Sequence, residues 1–192
     1  MQDINDCLYQ QLAAKLRAQL QLLPDKPEET VDACLRALWA HAAGFPVAVS
    51  AAADVALRDL SAEQRDRLQA AVKERLSGVP LAHITGRQEF MGIELLAGKS
   101  ALIPRRETEI LGALALGTID EISLRVDQPL VIDVCTGCGN LALALLKHRP
   151  GIQVWGADLS EDAIALAREN VVHLGLNSQI KFLAGDLLAP FD

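Results

Sequence analysis

Residues 130–142 read Leu-Val-Ile-Asp-Val-Cys-Thr-Gly-Cys-Gly-Asn-Leu-Ala. The apolar start predicts a short strand, and the segment after Gly139 predicts a helix over 140–148. A strand, a glycine turn and a helix together present backbone N–H groups and a helix N-terminus to a ligand. Gly137 and Gly139 have no side chain where such a ligand would meet the backbone. The stretch therefore predicts a binding loop.

A second apolar run, Val154 to Ala157, ends at Asp158, which lies 25 residues after Asp133. An acid at the end of the second strand can accept hydrogen bonds from ribose hydroxyls. The same residues also fit an ordinary α/β turn with a helix-capping aspartate. Because the glycines and the acid are in register, we favour the binding of a nucleoside cofactor.

The composition limits the class of protein. The 192 residues allow one domain or two small ones, and the 51% of hydrophobic residues can bury a core. The apolar runs are too short for a bilayer and no signal peptide is visible, so we expect a cytoplasmic protein without membrane contact. The net charge of −7 is spread over both halves without a long basic run, so we expect no direct nucleic-acid contact.

The four cysteines, at positions 7, 34, 135 and 138, are too scattered for a disulfide scaffold. Cys135 and Cys138 form a C-x-x-C pair, which a redox centre or half of a zinc site would also show. The sequence has no second Cys/His pair with similar spacing, and glycines dominate the turn. We therefore expect no metal site and no redox chemistry here.

The first 79 residues predict a small helical domain without a catalytic constellation. Apolar residues at four-residue steps from Ile4 to Leu20 predict a helix over 3–22, which Pro24 ends. A second helix is expected to begin near Pro27 and to stop at Gly44. Its expected buried face consists of Val31, Cys34, Leu35, Leu38 and Trp39.

Further signals complete this helical region. A short helix is expected over residues 51–59. Ser61 and Gln64 form a capping box for a third helix that runs to Leu76, with Gly78 as its C-cap candidate. His41 lies beside the apolar face of the second helix, so we interpret it as structural rather than as a ligand.

Residues 80–103 predict a β-hairpin linker, with strand-like segments at 83–85 and 89–95. Arg105, Arg106, Glu107, Thr108 and Glu109 follow Pro104 and start a helix that is expected to end near Gly117. Charged residues of this kind usually form a solvated first turn. Because they directly precede the binding loop, they could also line the ligand cleft.

The C-terminal part predicts a βαβαβ unit with strands at 130–134, 153–157 and 179–184. Its second helix follows Ser160 and ends near Gly175. Right-handed crossovers give the strand order 3-2-1. With no fourth strand in the sequence, Val131, Ile132 and Val134 would lie on an open edge, and we expect a truncated protein.

Three segments resemble the PrmC/HemK family of release factor glutamine methyltransferases. Pro80–Gly86 with Glu89-Phe90 resembles the interdomain hairpin of that family. Residues 102–109 resemble its Ile-Pro-Arg-Pro-Glu-Thr-Glu signature, with Arg106 in place of the second proline. Residues 131–139 resemble its S-adenosylmethionine loop, with Cys135 where glycine is usual. The helical region fits the N-terminal domain of the family by length and position.

The resemblance implies an α+β two-domain fold. An N-terminal helical bundle for substrate recognition would span residues 1–79, a β-hairpin linker 80–103, and the first half of a Rossmann-like methyltransferase domain 104–192. It also implies S-adenosyl-L-methionine as cofactor. The methionine moiety would lie on Cys135, Thr136, Gly137, Cys138 and Gly139, the ribose on Asp158, and the adenine between Asp186 and Leu187.

The implied reaction is methylation of the glutamine side-chain amide in the Gly-Gly-Gln motif of peptide chain release factors. The family holds that amide with an Asn-Pro-Pro-Tyr motif after its fourth strand, beyond these residues. We therefore assign no catalytic residue and expect residues 1–192 alone to be inactive.

Two alternatives remain open at this stage. Gly137-x-Gly139-x-x-Ala142 also matches the fingerprint of NAD-dependent oxidoreductases. The segment at 103–109 disfavours that interpretation, because a dinucleotide fold usually opens with its first strand. The other alternative is a non-catalytic module whose helical domain docks a protein partner.

Overall fold

The computed structural model describes residues 2–176 and 178–191, with side chains from Asn5 onward. The chain divides into two compact units, Met1–Glu89 and Phe90–Asp192. The expected boundaries at 79/80 and 103/104 remain predictions. The side chain of Ile4 lies outside the described residues. No helix within the described ranges is long and apolar enough to cross a membrane.

The first unit is helical. It contains α1 (Gln2–Gln19), α2 (Val31–Ala43), a 3₁₀ helix (Val49–Asp54), α3 (Ala62–Leu76) and α4 (Leu81–Thr85). The predicted buried face of α2 is confirmed: Cys34, Leu35, Leu38 and Trp39 are fully buried, and Val31 packs at the edge of their cluster. The capping box of α3 is also confirmed, since Ser61 Oγ accepts from Gln64 N–H and Gln64 Oε1 accepts from Ser61 N–H.

Three helix boundaries in this unit differ from the sequence prediction. Helix α1 ends at Gln19 rather than at residue 22, and Leu22 and Leu23 are exposed. The predicted start of α2 at Pro27 is wrong, because Thr30 supplies the N-cap by accepting from Ala33 N–H at 3.2 Å. The helix expected at 51–59 is a 3₁₀ helix over Val49–Asp54.

The strand predicted at 83–85 is also wrong, because these residues belong to α4. Pro80 precedes this helix, and Gly86 ends it with a φ of +69°. Leu81 and Ile84 are buried in the core of the helical unit. Burial in that core therefore outweighs the strand propensity of the β-branched residues.

The β-hairpin consists of β1 (Arg87–Phe90) and β2 (Ile93–Leu96), as the glycine pattern predicted. Helix α5 spans Arg106–Ser123. Its predicted end near Gly117 is wrong: a Cβ at this glycine would meet nothing within 4 Å, so Gly117 sits on an open helix face. A single glycine in a helix interior costs only about 1 kcal/mol relative to alanine.

The second unit contains the predicted βαβαβ unit. Its elements are β3 (Leu130–Val134), α6 (Asn140–His148), β4 (Gln153–Asp158), α7 (Glu161–His173) and β5 (Ile180–Ala184). The strands are parallel in the order β3-β4-β5, which confirms the predicted arrangement. Leu143, Leu145, Ile164 and Phe182 form part of the core between the helices and the sheet.

Candidate functional site

The carboxyl ends of the three parallel strands meet at one edge of the sheet. Gly185 N–H donates to Asp158 O at 2.9 Å and so joins the ends of β4 and β5. Thr136 N–H donates to Ala157 O at 2.9 Å and joins the loop after β3 to β4. All eight predicted site residues therefore follow or end a strand at this edge: Cys135, Thr136, Gly137, Cys138, Gly139, Asp158, Asp186 and Leu187.

The loop between β3 and α6, residues 135–139, is held in place by hydrogen bonds that its backbone N–H groups donate. Gly137 N–H donates to Asp158 Oδ2 at 2.8 Å. Gly139 N–H donates to Thr136 O at 2.9 Å and closes a tight turn. The loop is thus fixed on β4 before any ligand binds.

Gly139 is needed for two separate reasons. Its φ is +81°, and a Cβ at this position would lie 2.7 Å from Phe182 Cζ. Helix α6 begins directly after it, without a side-chain cap from this glycine. The first turn of α6 therefore faces the edge with its positive dipole end.

Cys135 occupies a backbone position that favours glycine. Its φ is +62° and its side chain is exposed. This left-handed conformation costs an L-residue roughly 1–2 kcal/mol. Leu187, at the same edge, also has a positive φ, of +47°. Two strained residues therefore lie among the eight predicted site residues.

Asp158 lies at the end of β4 and is partly buried. Its Oδ2 accepts from Gly137 N–H, and its Oδ1 accepts from Ser160 N–H at 3.0 Å. Each carboxylate oxygen has two acceptor positions, so both retain room for a hydroxyl donor. The geometry is compatible with ribose binding, which remains a prediction.

Asp133 is a polar residue whose role the sequence did not reveal. Thr136 Oγ1 donates to Asp133 Oδ2 at 2.6 Å. Burial raises the pKa of the Asp133 carboxyl, and the negative charge of Asp158 adds to the increase, while hydrogen bonds from Thr136 and the Ala142 backbone oppose it. The signal in the sequence was an acid that interrupts an apolar strand.

Leu159 and Asn170 were also missed. Leu159 directly follows Asp158 and is 76% exposed, while Leu187 directly follows Asp186 and is 59% exposed. An exposed apolar side chain thus follows each predicted acid. Apolar side chains of this kind usually line the pocket of a ligand with an aromatic ring, such as adenine. Asn170 is fully buried in α7 and donates to Cys138 O at 3.1 Å. An asparagine three residues after the buried Ala167, on the apolar face of α7, was its only sequence signal.

The charged first turn of α5 has a structural part. Glu109 Oε1 accepts from Met91 N–H at 2.8 Å, in the turn of the hairpin. Gly112, one turn further on, admits the Met91 side chain, because a Cβ there would lie 2.2 Å from Met91 Sδ. Glu109 therefore anchors the hairpin turn, whereas Arg105 and Arg106 are exposed.

The two cysteines of the loop are not joined in a disulfide; Cys135 is exposed, and the buried Cys138 Sγ donates to Asn140 Oδ1 at 3.9 Å. In the described part of the chain, no group of three or more His, Cys, Asp or Glu side chains is placed to hold a metal ion.

Comparison with known families matches both units. Residues 11–86 match the PrmC N-terminal domain, and residues 131–191 match a methyltransferase domain. The chain belongs to the PrmC/HemK family. The helical unit thus matches the N-terminal domain of this family, and the parallel sheet with its helices is part of a Rossmann-like methyltransferase fold.

Relatives named release factor glutamine methyltransferase agree with this membership of the PrmC/HemK family. That of Burkholderia pseudomallei is 36% identical over 177 residues, 90% of this chain and 59% of the relative. That of Deinococcus radiodurans is 46% identical over 118 residues, 62% of this chain and 40% of the relative. That of Escherichia coli is 37% identical over 119 residues, 62% of this chain and 41% of the relative. The chain thus spans about half the length of these relatives.

Proposed function

We propose that the carboxyl edge of the sheet binds S-adenosyl-L-methionine. We further propose that the whole protein transfers the methyl group to the side-chain amide of glutamine in the Gly-Gly-Gln motif of peptide chain release factors. The observation that carries the proposal is the loop 135–139, which is bonded to the acid at the end of β4 and leads into the open N-terminus of α6. Membership of the PrmC/HemK family supports it.

The residues at this edge fit the chemical groups of the cofactor. The backbone of the loop and the first turn of α6 suit the carboxylate of the methionine moiety, because a helix N-terminus favours an anion. Asp158 offers acceptor positions to the ribose hydroxyls. Asp186 can accept from the exocyclic amine of adenine, and Leu187 offers apolar contact to the ring. When bound, this cofactor supplies an electrophilic methyl group on a sulfonium.

The helical unit has a different part in this proposal. We assign it the recognition of the release factor, since residues 11–86 match the N-terminal domain of the family. A protein that modifies release factors would work in the cytoplasm. Purified release factor, titrated into the chain by calorimetry, tests this assignment. No detectable binding by the folded chain would contradict it.

Calorimetric titration with S-adenosylmethionine, with NAD as the comparison ligand, tests the cofactor assignment. We expect the chain to bind S-adenosylmethionine and not NAD. Asp158→Asn should weaken binding about tenfold, because one charged acceptor is lost. Asp162→Asn is the matched control, since it removes the same charge from an exposed position in the first turn of α7.

Two results would overturn this assignment. One is NAD binding without S-adenosylmethionine binding, which would favour an oxidoreductase. The other is an equal loss of affinity in the Asp158 and Asp162 variants, which would mean that only net charge matters. Circular dichroism of each variant verifies that it is folded.

A further inference from the structure

Asn170 is a polar side chain in a place that normally disfavours one. It lies in the last turn of α7, where Leu174 N–H donates to its carbonyl at 3.0 Å, and its side chain is fully buried. Asparagine is a poor helix former, and burial of its amide is unfavourable unless its donors and acceptor are satisfied. A leucine at this position would favour both the helix and the core, so the amide needs another explanation.

The amide forms a two-point contact with the end of β2. Asn170 Oδ1 accepts from Leu96 N–H at 2.6 Å, and Asn170 Nδ2 donates to Leu96 O at 3.3 Å. These are the two bonds that a neighbouring strand would form with the backbone of Leu96. The side chain therefore fixes the point at which the chain leaves the hairpin toward α5.

The same amide also reaches the loop 135–139. Asn170 Nδ2 donates to Cys138 O at 3.1 Å, while Gly139 N–H, at the other end of that peptide unit, donates to Thr136 O at 2.9 Å. Because a trans peptide is planar, holding both its carbonyl and its N–H fixes the orientation of the whole unit. This peptide directly precedes the first turn of α6.

The segment after Leu96 lies against the same loop. A Cβ added to Gly137 would lie 3.9 Å from Ala101 Cβ. A Cβ added to Gly98 would lie 3.6 Å from Leu166 Cδ2, one helical turn before Asn170. Helix α7 therefore supports the segment 96–101 on one side and the loop on the other.

We propose that Asn170 is a positioning residue that sets the loop 135–139 and the segment 96–101 in register for the cofactor. This inference rests on the proposed function, because the loop is the cofactor site assigned there. Asn170 acts through the Cys138–Gly139 peptide and through Leu96.

Two variants and one matched control test the proposal. Asn170→Leu removes all three hydrogen bonds at similar size, and Asn170→Asp keeps the acceptor for Leu96 N–H but removes both donated bonds. Ile164→Val is the control, a buried change on the same helix that leaves the three bonds in place. Asn170→Asp carries the test if Asn170→Leu does not fold.

The first readout is independent of any ligand. Amide hydrogen exchange at Gly139 is measured relative to that at Val154, whose N–H donates to Gln179 O next to β5. We expect the ratio to rise about tenfold in the Asn170 variants, since the Cys138 carbonyl loses the donor that orients this peptide; tenfold corresponds to about 1.4 kcal/mol. A merely structural Asn170 would change both amides together, as Ile164→Val should.

The second readout is the dissociation constant for S-adenosylmethionine, measured well below the unfolding temperature. We expect about tenfold weaker binding in the Asn170 variants and unchanged binding in Ile164→Val. If the Asn170 variants match the control in both readouts, the proposal is overturned. If the wild-type chain binds no cofactor, the proposed function fails, and the exchange ratio alone decides for or against the positioning role.

Discussion

Cys135 holds a backbone conformation that glycine would adopt without strain. Its φ of +62° lies in the left-handed region, and the N–H groups of its neighbours donate to β4, Thr136 to Ala157 O and Gly137 to the Asp158 carboxylate. Those bonds leave the residue no room to relax. The strain therefore lies at the position where the PrmC/HemK loop usually has glycine.

Cys135→Gly should stabilise the second unit. Relief of the left-handed strain, roughly 1–2 kcal/mol, exceeds the flexibility that glycine adds to the unfolded chain, so the free energy of unfolding should rise by up to about 1 kcal/mol. Urea unfolding followed by circular dichroism measures it. The same exchange at Cys7, inside α1, should instead lower stability by about 0.3 kcal/mol, the difference in helix propensity between cysteine and glycine. A loss of stability at Cys135 would contradict the strain argument.

Asp133 gives stability a pH dependence of known sign. Burial raises its pKa above the usual 3.8, so the folded protein binds this proton more tightly than the unfolded chain does. The stabilisation by that proton is complete below pH 3.8 and is lost as the pH rises through the higher folded pKa.

Asp133→Asn should therefore gain stability relative to the wild type as the pH rises above 3.8, because asparagine has no proton to lose. Urea unfolding at several pH values measures the difference. Asp162→Asn, at an exposed position of α7, is the control for the change in charge. If the wild type gained relative to Asp133→Asn with rising pH, the raised pKa would be refuted.

At the scale of elements, one buried ion pair joins α3 to the loop before α2. Arg75 Nη2 lies 2.8 Å from Glu29 Oε2, and the two side chains are 8% and 7% exposed. Lys26 Nζ lies 3.3 Å from the other Glu29 oxygen. Arg75 Nη1 also donates to Val79 O, in the segment between α3 and α4. The pair therefore fixes the loop on the helical bundle.

Glu29→Gln should destabilise the helical unit by about 3–5 kcal/mol, because Arg75 would remain as an unpaired buried charge. Thermal unfolding followed by circular dichroism measures the loss. Glu28→Gln is the matched control. The Glu28 side chain is exposed, so this exchange should change the free energy of unfolding by no more than about 0.5 kcal/mol. Equal effects of the two exchanges would show that the pair contributes little.

The elements also show where local signals suffice. The capping box at Ser61 and Gln64 predicted the start of α3, and the apolar run predicted β3 at its true bounds, because both signals act within a few residues. Ile84 and Thr85 misled the prediction of α4. Their strand propensity is outweighed by burial against helices distant in sequence, which no local pattern contains.

At the scale of the whole molecule, the sheet leaves apolar residues at its first strand accessible. Leu130 is 47% and Ile132 42% exposed on β3, which within the described residues pairs with β4 alone. Parallel sheets are normally covered on both faces, and an open edge can pair with another chain.

We expect this chain to self-associate with rising concentration, as sedimentation velocity would show. Ile132→Lys should reduce the association, because a charge at the open edge opposes strand pairing. Val172→Lys makes a similar change at an exposed position of α7 and should leave the self-association unaltered. A concentration-independent monomer in the wild type would refute the prediction.

The sequence by itself determined the two-domain α+β fold, the parallel order of β3, β4 and β5, and the family. These follow from glycine spacing, apolar periodicity and short motifs, which are local properties of the chain. It also pointed to Asp158, because an acid at a strand end has a fixed place in such a sheet.

Only the tertiary structure decided what holds the loop 135–139. Asn170 lies 32 residues from Cys138 and 74 from Leu96, yet one side chain bonds to both. The raised pKa of Asp133 likewise depends on the packing around it. Such contacts are set by the close packing of α6 and α7 on the sheet, and residues so far apart leave no periodic trace in the sequence.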